Sequence, residues 1–276
     1  MKRKKRIIPG FGISMGITFT LLSLIVLIPL ASLVVFTSKM SFSEIWNVIT
    51  RPRVLVSFRV SLLTALIASL INAVMGVILA WVLVRYKFPG KRILDGMIEL
   101  PFALPTAVAG IALTSLYSDS GWIGSIFAKF GIKIAYTRVG ITIALIFIGI
   151  PFVVRAVQPV LEKIDPLYEE AAGILGASRA RTFRKVILPE LYPAIFTGFG
   201  LAFGRCLGEY GSVVFIAGNQ PYETEITPLI IMSELQEYDY SSATAIALVM
   251  LLAAFIILFI VNLIQIRNTK ILKGGN

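Results

Sequence analysis

Long uncharged runs alternate along the chain with short segments that carry almost all of its charge. Residues 7–38 contain no charged side chain, and residues 60–84 form a second uncharged window. A helix needs about 20 apolar residues to cross the hydrocarbon core of a bilayer. The pattern predicts six membrane-spanning helices, near residues 14–37, 60–84, 98–118, 139–160, 192–217 and 242–266.

The composition also indicates an all-α polytopic membrane protein. Hydrophobic residues make up 57% of the 276 positions, whereas soluble chains contain about 45–50%. The uncharged run at 7–38 is longer than the core of a signal peptide, about 7–15 residues, so we expect the first helix to be retained. We predict one transmembrane domain over residues 1–276, with a basic tail and first helix at 1–38 and a helical core at about 57–266.

The basic residues predict the orientation of the helices. With the N-terminus inside, the inner segments hold 17 Lys and Arg residues and the outer segments hold 5. Because cytoplasmic loops carry an excess of Lys and Arg, we expect both termini in the cytoplasm. The same rule accounts for the net charge of +11. No nucleic-acid-binding motif accompanies that charge, so we expect no nucleic-acid partner.

The residues that the chain lacks exclude several kinds of chemistry. It contains no histidine and one cysteine, Cys206, which leaves no histidine-dependent catalytic triad and no zinc site of the His/Cys type. The G-x-x-x-x-G-K-[ST] loop that holds nucleotide phosphates is also absent from the sequence. We therefore predict that the chain is not an enzyme and binds no cofactor.

Residues 168–190, YEEAAGILGASRARTFRKVILPE, are charged yet have helical spacing. Gly176 should interrupt the helix, Ser178 can cap a second one, and Pro189 is expected to end it. The first helix carries an apolar stripe of Leu167, Ala171, Ile174 and Leu175. Two short cytoplasmic helices of this kind either lie on anionic membrane lipid or insert into a groove of a cytoplasmic partner.

The same segment resembles the EAA motif of ABC importer permeases, in which EAA, glycine and a final Leu-Pro recur at fixed spacing. The matching residues are Glu170, Ala171, Ala172, Gly176, Leu188 and Pro189. Val186 stands where the family pattern has isoleucine. The resemblance implies an ABC importer permease fold of type I, with a coupling helix between the fourth and fifth spans that docks on the ATPase. It also implies that ATP–Mg is bound by that partner chain.

Other segments resemble the molybdate/sulfate branch of these permeases, and most closely the T-type sulfate/thiosulfate permeases. The resemblance to the branch is carried by ELPFALPTAVAG at 99–110 and GRCLGEYGSVVFIAG at 204–218. The closer resemblance to the T type is carried by SGWIG at 120–124, IGIPFVVRAVQPVLE at 148–162 and QEYDYSSATAIALVMLLAAF at 236–255. The resemblance implies a multi-pass inner-membrane chain that imports sulfate and thiosulfate. Its implied partners are a related W-type permease, two copies of a cytoplasmic ATPase and an extracytoplasmic binding protein for these anions.

Two other functions stay open at this point. A permease for molybdate or tungstate would carry the same motifs, because these anions are also tetrahedral dianions. An ion-gradient-driven secondary transporter belongs to a different class; it predicts broken helices in matching halves of the chain, which the sequence does not display, and it leaves the 168–190 segment unexplained.

Charged and irregular positions inside the spans are candidates for the translocation path or its gate. Arg205 and Glu209 lie four residues apart in the fifth span, so they can pair on one helix face. Either they fix the helix as a structural ion pair, or they gate the path or bind an oxyanion transiently. Pro101, Pro105 and Thr106 begin the third span, where they form either a kink or a bend that lines the pore.

The outer segment 218–241 is acidic and contains no Lys or Arg. Its acids are Glu223, Glu225, Glu234, Glu237 and Asp239. A solvated loop is one interpretation, and a docking surface for a soluble partner is the other.

Overall fold

The computed structural model describes residues 11–273, which form twelve helical stretches and no strand. In chain order these are α1 Phe11–Thr37, α2 Phe42–Ile49, α3 Pro52–Arg85, α4 Lys91–Ala103, α5 Thr106–Tyr117, α6 Gly124–Ala128, α7 Arg138–Lys163, α8 Leu167–Ile174, α9 Arg179–Leu207, α10 Val213–Ile216, α11 Thr227–Gln236 and α12 Tyr240–Lys273. The all-helical prediction is confirmed. The predicted basic tail at 1–6 lies outside the described residues.

Five helices are individually long and apolar enough to cross a bilayer: α1, α3, α7, α9 and α12. They include the predicted first, second, fourth and sixth spans. The third predicted span, 98–118, is not one helix, because α4 and α5 meet at an angle of 114°. Leu104 between them is extended, with ψ of 135°, as expected for a residue that precedes proline. The break therefore lies at Pro105, whereas Pro101 stays inside α4.

The fifth span differs from the predicted range 192–217. It begins at Arg179 and ends at Leu207, and the prediction that Pro189 ends a short helix is wrong. A π turn at Phe183–Ile187 precedes the proline, and the Leu188 amide donates to the Phe183 carbonyl five residues earlier. This wider turn accommodates a residue that has no N–H and whose ring crowds the preceding turn. One continuous helix thus joins the charged segment to the membrane.

The centre of the bundle is made by α3, α7 and α9, which pack closely at small residues. A side-chain Cβ added at Gly76 of α3 would lie 2.6 Å from Val153 Cγ1 of α7, and one at Gly198 of α9 would lie 2.8 Å from Val153 Cα. Helices approach this closely in membranes only where one side lacks a side chain. In contrast, α1 leaves nearly all of its side chains exposed and touches the bundle through its second half, against α12.

Candidate functional site

The charged segment after α7 folds into a short helix with defined ends. The Leu167 amide donates to Asp165 Oδ1 at 2.9 Å at the start of α8. At its end Gly176 adopts φ of +78°, and the Ala177 amide donates to the Ala172 carbonyl, the pattern of a glycine C-cap. Ser178 then accepts from the Arg181 amide to begin α9. The predicted break at Gly176 and the predicted cap at Ser178 are confirmed.

The tip of α8 exposes large apolar side chains. Ile174 is 86% exposed and Leu175 is 87% exposed, and Leu167 and Tyr168 are also exposed on the same helix. Apolar side chains clustered at an exposed tip and flanked by charge mark a contact surface for another molecule. We call this surface the coupling tip, defined by Leu167, Tyr168, Ile174 and Leu175.

An ion pair ties α8 to the end of the second span. Arg85, the last residue of α3, places Nη2 2.8 Å from Glu169 Oε1 and donates to the Ile164 carbonyl at 3.0 Å. The guanidinium also lies over the ring of Trp81, and that ring meets Phe183 of α9 edge to face, with centroids 5.3 Å apart. Since both charged side chains are largely buried, the pair fixes α8 relative to α3 and α9.

Behind α8 lies a cavity of about 500 Å³ between the coupling tip and the bundle. Glu170, Gly173 and Arg85 line it, together with residues at the start of α9. Glu170 of the motif thus faces the space between α8 and the bundle. Ala171 and Gly176 are exposed, and Ala172 is partly exposed. Leu188 and Pro189 lie in α9, next to the buried Ile187. The six motif residues therefore do not form one surface.

A second cluster surrounds the turn that follows α9. Arg205 Nη1 lies 2.6 Å from Glu209 Oε2, so the i, i+4 pair predicted from the sequence is present. The other oxygen of Glu209 accepts from the Ser212 amide at 2.8 Å and from its hydroxyl at 3.0 Å. Glu209 is 2% exposed and lies beyond the helix end. Both of its oxygens are used to hold the turn 208–212, which favours the structural role for this pair.

The bend of the third span packs directly on this turn. A Cβ at Gly211 would lie 2.1 Å from Thr106 Oγ1, and one at Gly110 would lie 2.5 Å from the Ser212 carbonyl oxygen. Pro105 and Thr106 are therefore brought together with the turn that Arg205 and Glu209 stabilise. Pro101 lies before the bend, in α4, and is outside this cluster.

Gly110→Ala should loosen the contact between α5 and the turn. The new methyl group has no room because its neighbour is backbone, and overpacking of this kind costs about 1–3 kcal/mol. We expect a lower melting temperature and several-fold lower transport at equal membrane level, measured by thermal unfolding and by uptake. Gly96→Ala in α4 is the matched control, because nothing lies within 4 Å of the added Cβ. If the two variants had the same melting temperature and the same uptake, the close contact between Gly110 and Ser212 would be contradicted.

The acidic segment 218–241 is not a uniformly solvated loop, because three of its five acids are bonded within the bundle. Glu225 is 2% exposed and receives two hydrogen bonds from Arg53, and Glu234 pairs with Arg51 at 3.4 Å. Asp239 caps α12 through Ser242, and these hydrogen bonds lower the pKa of Asp239. Burial raises the pKa of Glu234. Three of the five acids thus hold α11 and α12 in place, and Glu223 and Glu237 remain exposed.

Sequence reasoning missed two of these features, the Arg85–Glu169 pair and the Arg155 network. Arg155 of α7 binds Asp95 Oδ1 at 2.8 Å and Glu99 Oε1 at 2.7 Å, both on α4. The partners are 56 or more residues apart in each case. No periodic spacing links such residues, so only the helix arrangement reveals the pairs.

The chain matches a known family and close relatives. The model of the family described as "Binding-protein-dependent transport system inner membrane component" matches residues 72–269. Over 270 residues the chain is 51% identical to the sulfate transport system permease protein CysT of Salmonella typhimurium, covering 98% of each chain. The protein of the same name from Synechocystis is 48% identical over 249 residues, which cover 90% of this chain and 87% of that one.

Solved structures with a similar fold have low sequence identity to this chain. A chain of the bacterial ABC transporter involved in the import of the acidic polysaccharide alginate aligns with a TM-score of 0.78 and 16% identity, covering 94% of this chain and 96% of that one. A chain of the MetNI methionine ABC transporter aligns with a TM-score of 0.58 and 16% identity, covering 83% and 99%. At such identity the likeness bears on the fold alone, and it confirms the predicted importer-permease fold.

Proposed function

Because the chain belongs to the family of inner membrane components of binding-protein-dependent transport systems, we propose that it is the permease subunit of an ATP-driven importer of sulfate and thiosulfate. The observation that carries the choice of substrate is the 51% identity to a sulfate permease over 98% of both chains. The coupling tip, exposed at the end of α8, supports the ATP-driven mechanism, because it offers an apolar surface to a cytoplasmic partner.

The proposed assembly contains three other kinds of chain. A second, related permease of the W type completes the path, two copies of an ATPase bind ATP–Mg, and an extracytoplasmic binding protein delivers the anion. The orientation with both termini in the cytoplasm remains part of this proposal. It is supported by the ratio of 17 inner to 5 outer basic residues.

A movement of the coupling tip can be transmitted through this chain to the bend of the third span. From Gly176 the chain enters α9, a continuous helix of 29 residues, which is about 43 Å long at the usual rise per residue. At its far end α9 leads to the turn that packs on Thr106 and Gly110. The Arg85–Glu169 pair transmits the same movement to α3. In this mechanism ATP-driven motion at one end of the bundle repositions the bend of the third span.

Uptake of radiolabelled sulfate tests the proposal in cells that lack this chain. Restoring the chain is expected to restore uptake, and excess thiosulfate should block it while molybdate and phosphate should not. If molybdate uptake is lost and restored instead, the substrate assignment is wrong and the coupling mechanism stands. If uptake follows an ion gradient and persists without ATP, the importer proposal fails as a whole.

A further inference from the structure

A groove lies between α3 and α7, at the end of the bundle opposite the coupling tip. Its volume is about 400 Å³, and its walls are mostly apolar, with Leu63, Ile67 and Val139 among them. Two arginines, Arg59 and Arg138, stand at its rim. Neither the third-span bend nor the α9 turn contributes to this groove, so it is separate from the candidate path.

The two arginines carry charges that no carboxylate of the described chain neutralises. Arg59 has no hydrogen bond or ion pair with any residue from 11 to 267, and Arg138 donates Nε to the Glu223 carbonyl at 2.7 Å, a neutral acceptor. The arginines in other parts of the membrane domain differ, since Arg53, Arg155 and Arg205 are ion-paired. The Arg59 guanidinium and the Nη groups of Arg138 are therefore available to an external anion.

Their depth is that of the membrane–water boundary. Arg59 immediately precedes the uncharged window 60–84, and Arg138 immediately precedes the uncharged start of the fourth span. The proposed orientation puts them at the outer surface, where basic residues are sparse. The orientation of the spans therefore does not explain why two arginines line one groove there.

An exposed apolar track continues from the arginines into the membrane. Leu63, Ile67, Leu70 and Val74 are each between 43% and 62% exposed. Their spacing from Arg59 places them on one face of α3, over a length of about 22 Å at the rise of a helix. That length exceeds half of a hydrocarbon core of about 30 Å, so an acyl chain fits along it.

We infer that this groove binds a phospholipid with an anionic headgroup, its phosphate between Arg59 and Arg138 and one acyl chain along Leu63 and Ile67. Guanidinium groups bind phosphate through paired hydrogen bonds, and the apolar walls match the lipid tail. A free tetrahedral oxyanion would meet the same two charges but would leave its other side against apolar walls, at a desolvation cost. The combination of charge and apolar track fits an amphiphile.

The test uses the assembled transporter in nanodiscs that contain phosphatidylcholine with increasing phosphatidylglycerol. Lipid retained on the protein is measured by native mass spectrometry after transfer to detergent. The double variant Arg59→Gln/Arg138→Gln is expected to weaken phosphatidylglycerol retention at least about tenfold, because each lost charge-assisted bond contributes strongly. Lys129→Gln/Lys133→Gln is the matched control; it removes the same charge at the same end of the bundle, outside the groove, and should retain the lipid.

Three outcomes would overturn the inference. One is unchanged phosphatidylglycerol retention by the double variant. The second is displacement of the lipid from the unmodified protein by millimolar sulfate, which would make the arginines a site for the transported anion. The third is that the double variant still retains the lipid but no longer retains the second permease, which would make the groove a subunit interface. An unchanged melting temperature in phosphatidylcholine alone shows that the double variant is folded.

Discussion

Leu175→Asp is expected to abolish sulfate uptake while the chain still folds and reaches the membrane. The side chain is 87% exposed, so the change costs this chain little on its own, within about 0.5 kcal/mol. In a docked complex the same position would bury an unpaired carboxylate in the groove of the ATPase. A well-packed interface residue of this kind is worth about 2–4 kcal/mol, so we expect uptake to fall about 100-fold.

The measurement combines uptake with recovery of the ATPase on the purified permease. Phe130→Asp is the matched control, because Phe130 is 77% exposed and precedes the start of α7, at the opposite end of the bundle. The control should keep both uptake and bound ATPase. If Leu175→Asp also keeps the ATPase bound, the coupling tip is not the docking surface, and the alternative that α8 lies on lipid is favoured.

Arg85→Glu is expected to uncouple ATP hydrolysis from transport. The change places a carboxylate against Glu169 and removes the hydrogen bond to the Ile164 carbonyl and the contact with Trp81. Breaking a fully buried pair costs about 3–5 kcal/mol. Because this pair is partly exposed, we expect about 2 kcal/mol and a fall in uptake of about 30-fold. ATP hydrolysis should lose its stimulation by the binding protein.

Exchange of the two charges distinguishes positioning from folding. Arg85→Glu with Glu169→Arg should recover part of the stimulated hydrolysis, since the pair is restored while the bond to Ile164 is not. Arg51→Glu is the matched control; its partner Glu234 lies at the other end of the bundle and the pair is longer, at 3.4 Å. That variant should keep stimulation. If Arg85→Glu only lowers the amount of protein in the membrane, the pair serves folding and not coupling.

The spans and the coupling segment could be predicted from the sequence because each depends on local pattern. An uncharged run of sufficient length crosses a bilayer whatever its neighbours, and Gly176 and Ser178 act on their own helix ends. The predicted boundaries failed where local rules met tertiary packing. Pro189 should end a helix by itself, yet a π turn accommodates it, and Ile187 and Leu191 on either side are fully buried in the bundle.

The charged pairs show the same division. Arg205 and Glu209 could be paired from their i, i+4 spacing. The structure keeps the pair although the helix ends at Leu207, because Glu209 also accepts two hydrogen bonds from Ser212 in a turn that periodicity did not predict. Five acids in the outer segment appeared alike in the sequence. Burial and two arginines at the start of α3 separate Glu225 and Glu234 from the exposed Glu223 and Glu237.

The sequence by itself determined that the chain is a membrane protein, where the first, second, fourth and sixth spans lie, and that the charged segment 168–190 contains a helix broken at Gly176. These properties follow from hydropathy, charge and residue spacing, which act over one or two helical turns. Only the tertiary structure decided that the third span bends by 114° at Pro105, that Arg85 holds Glu169 and that Arg59 and Arg138 share one groove. The two contacts depend on helices far apart in the chain that meet through close packing, which no local pattern encodes. The bend itself is local to Pro105, but the sequence left open whether the prolines kink the third span or bend it sharply.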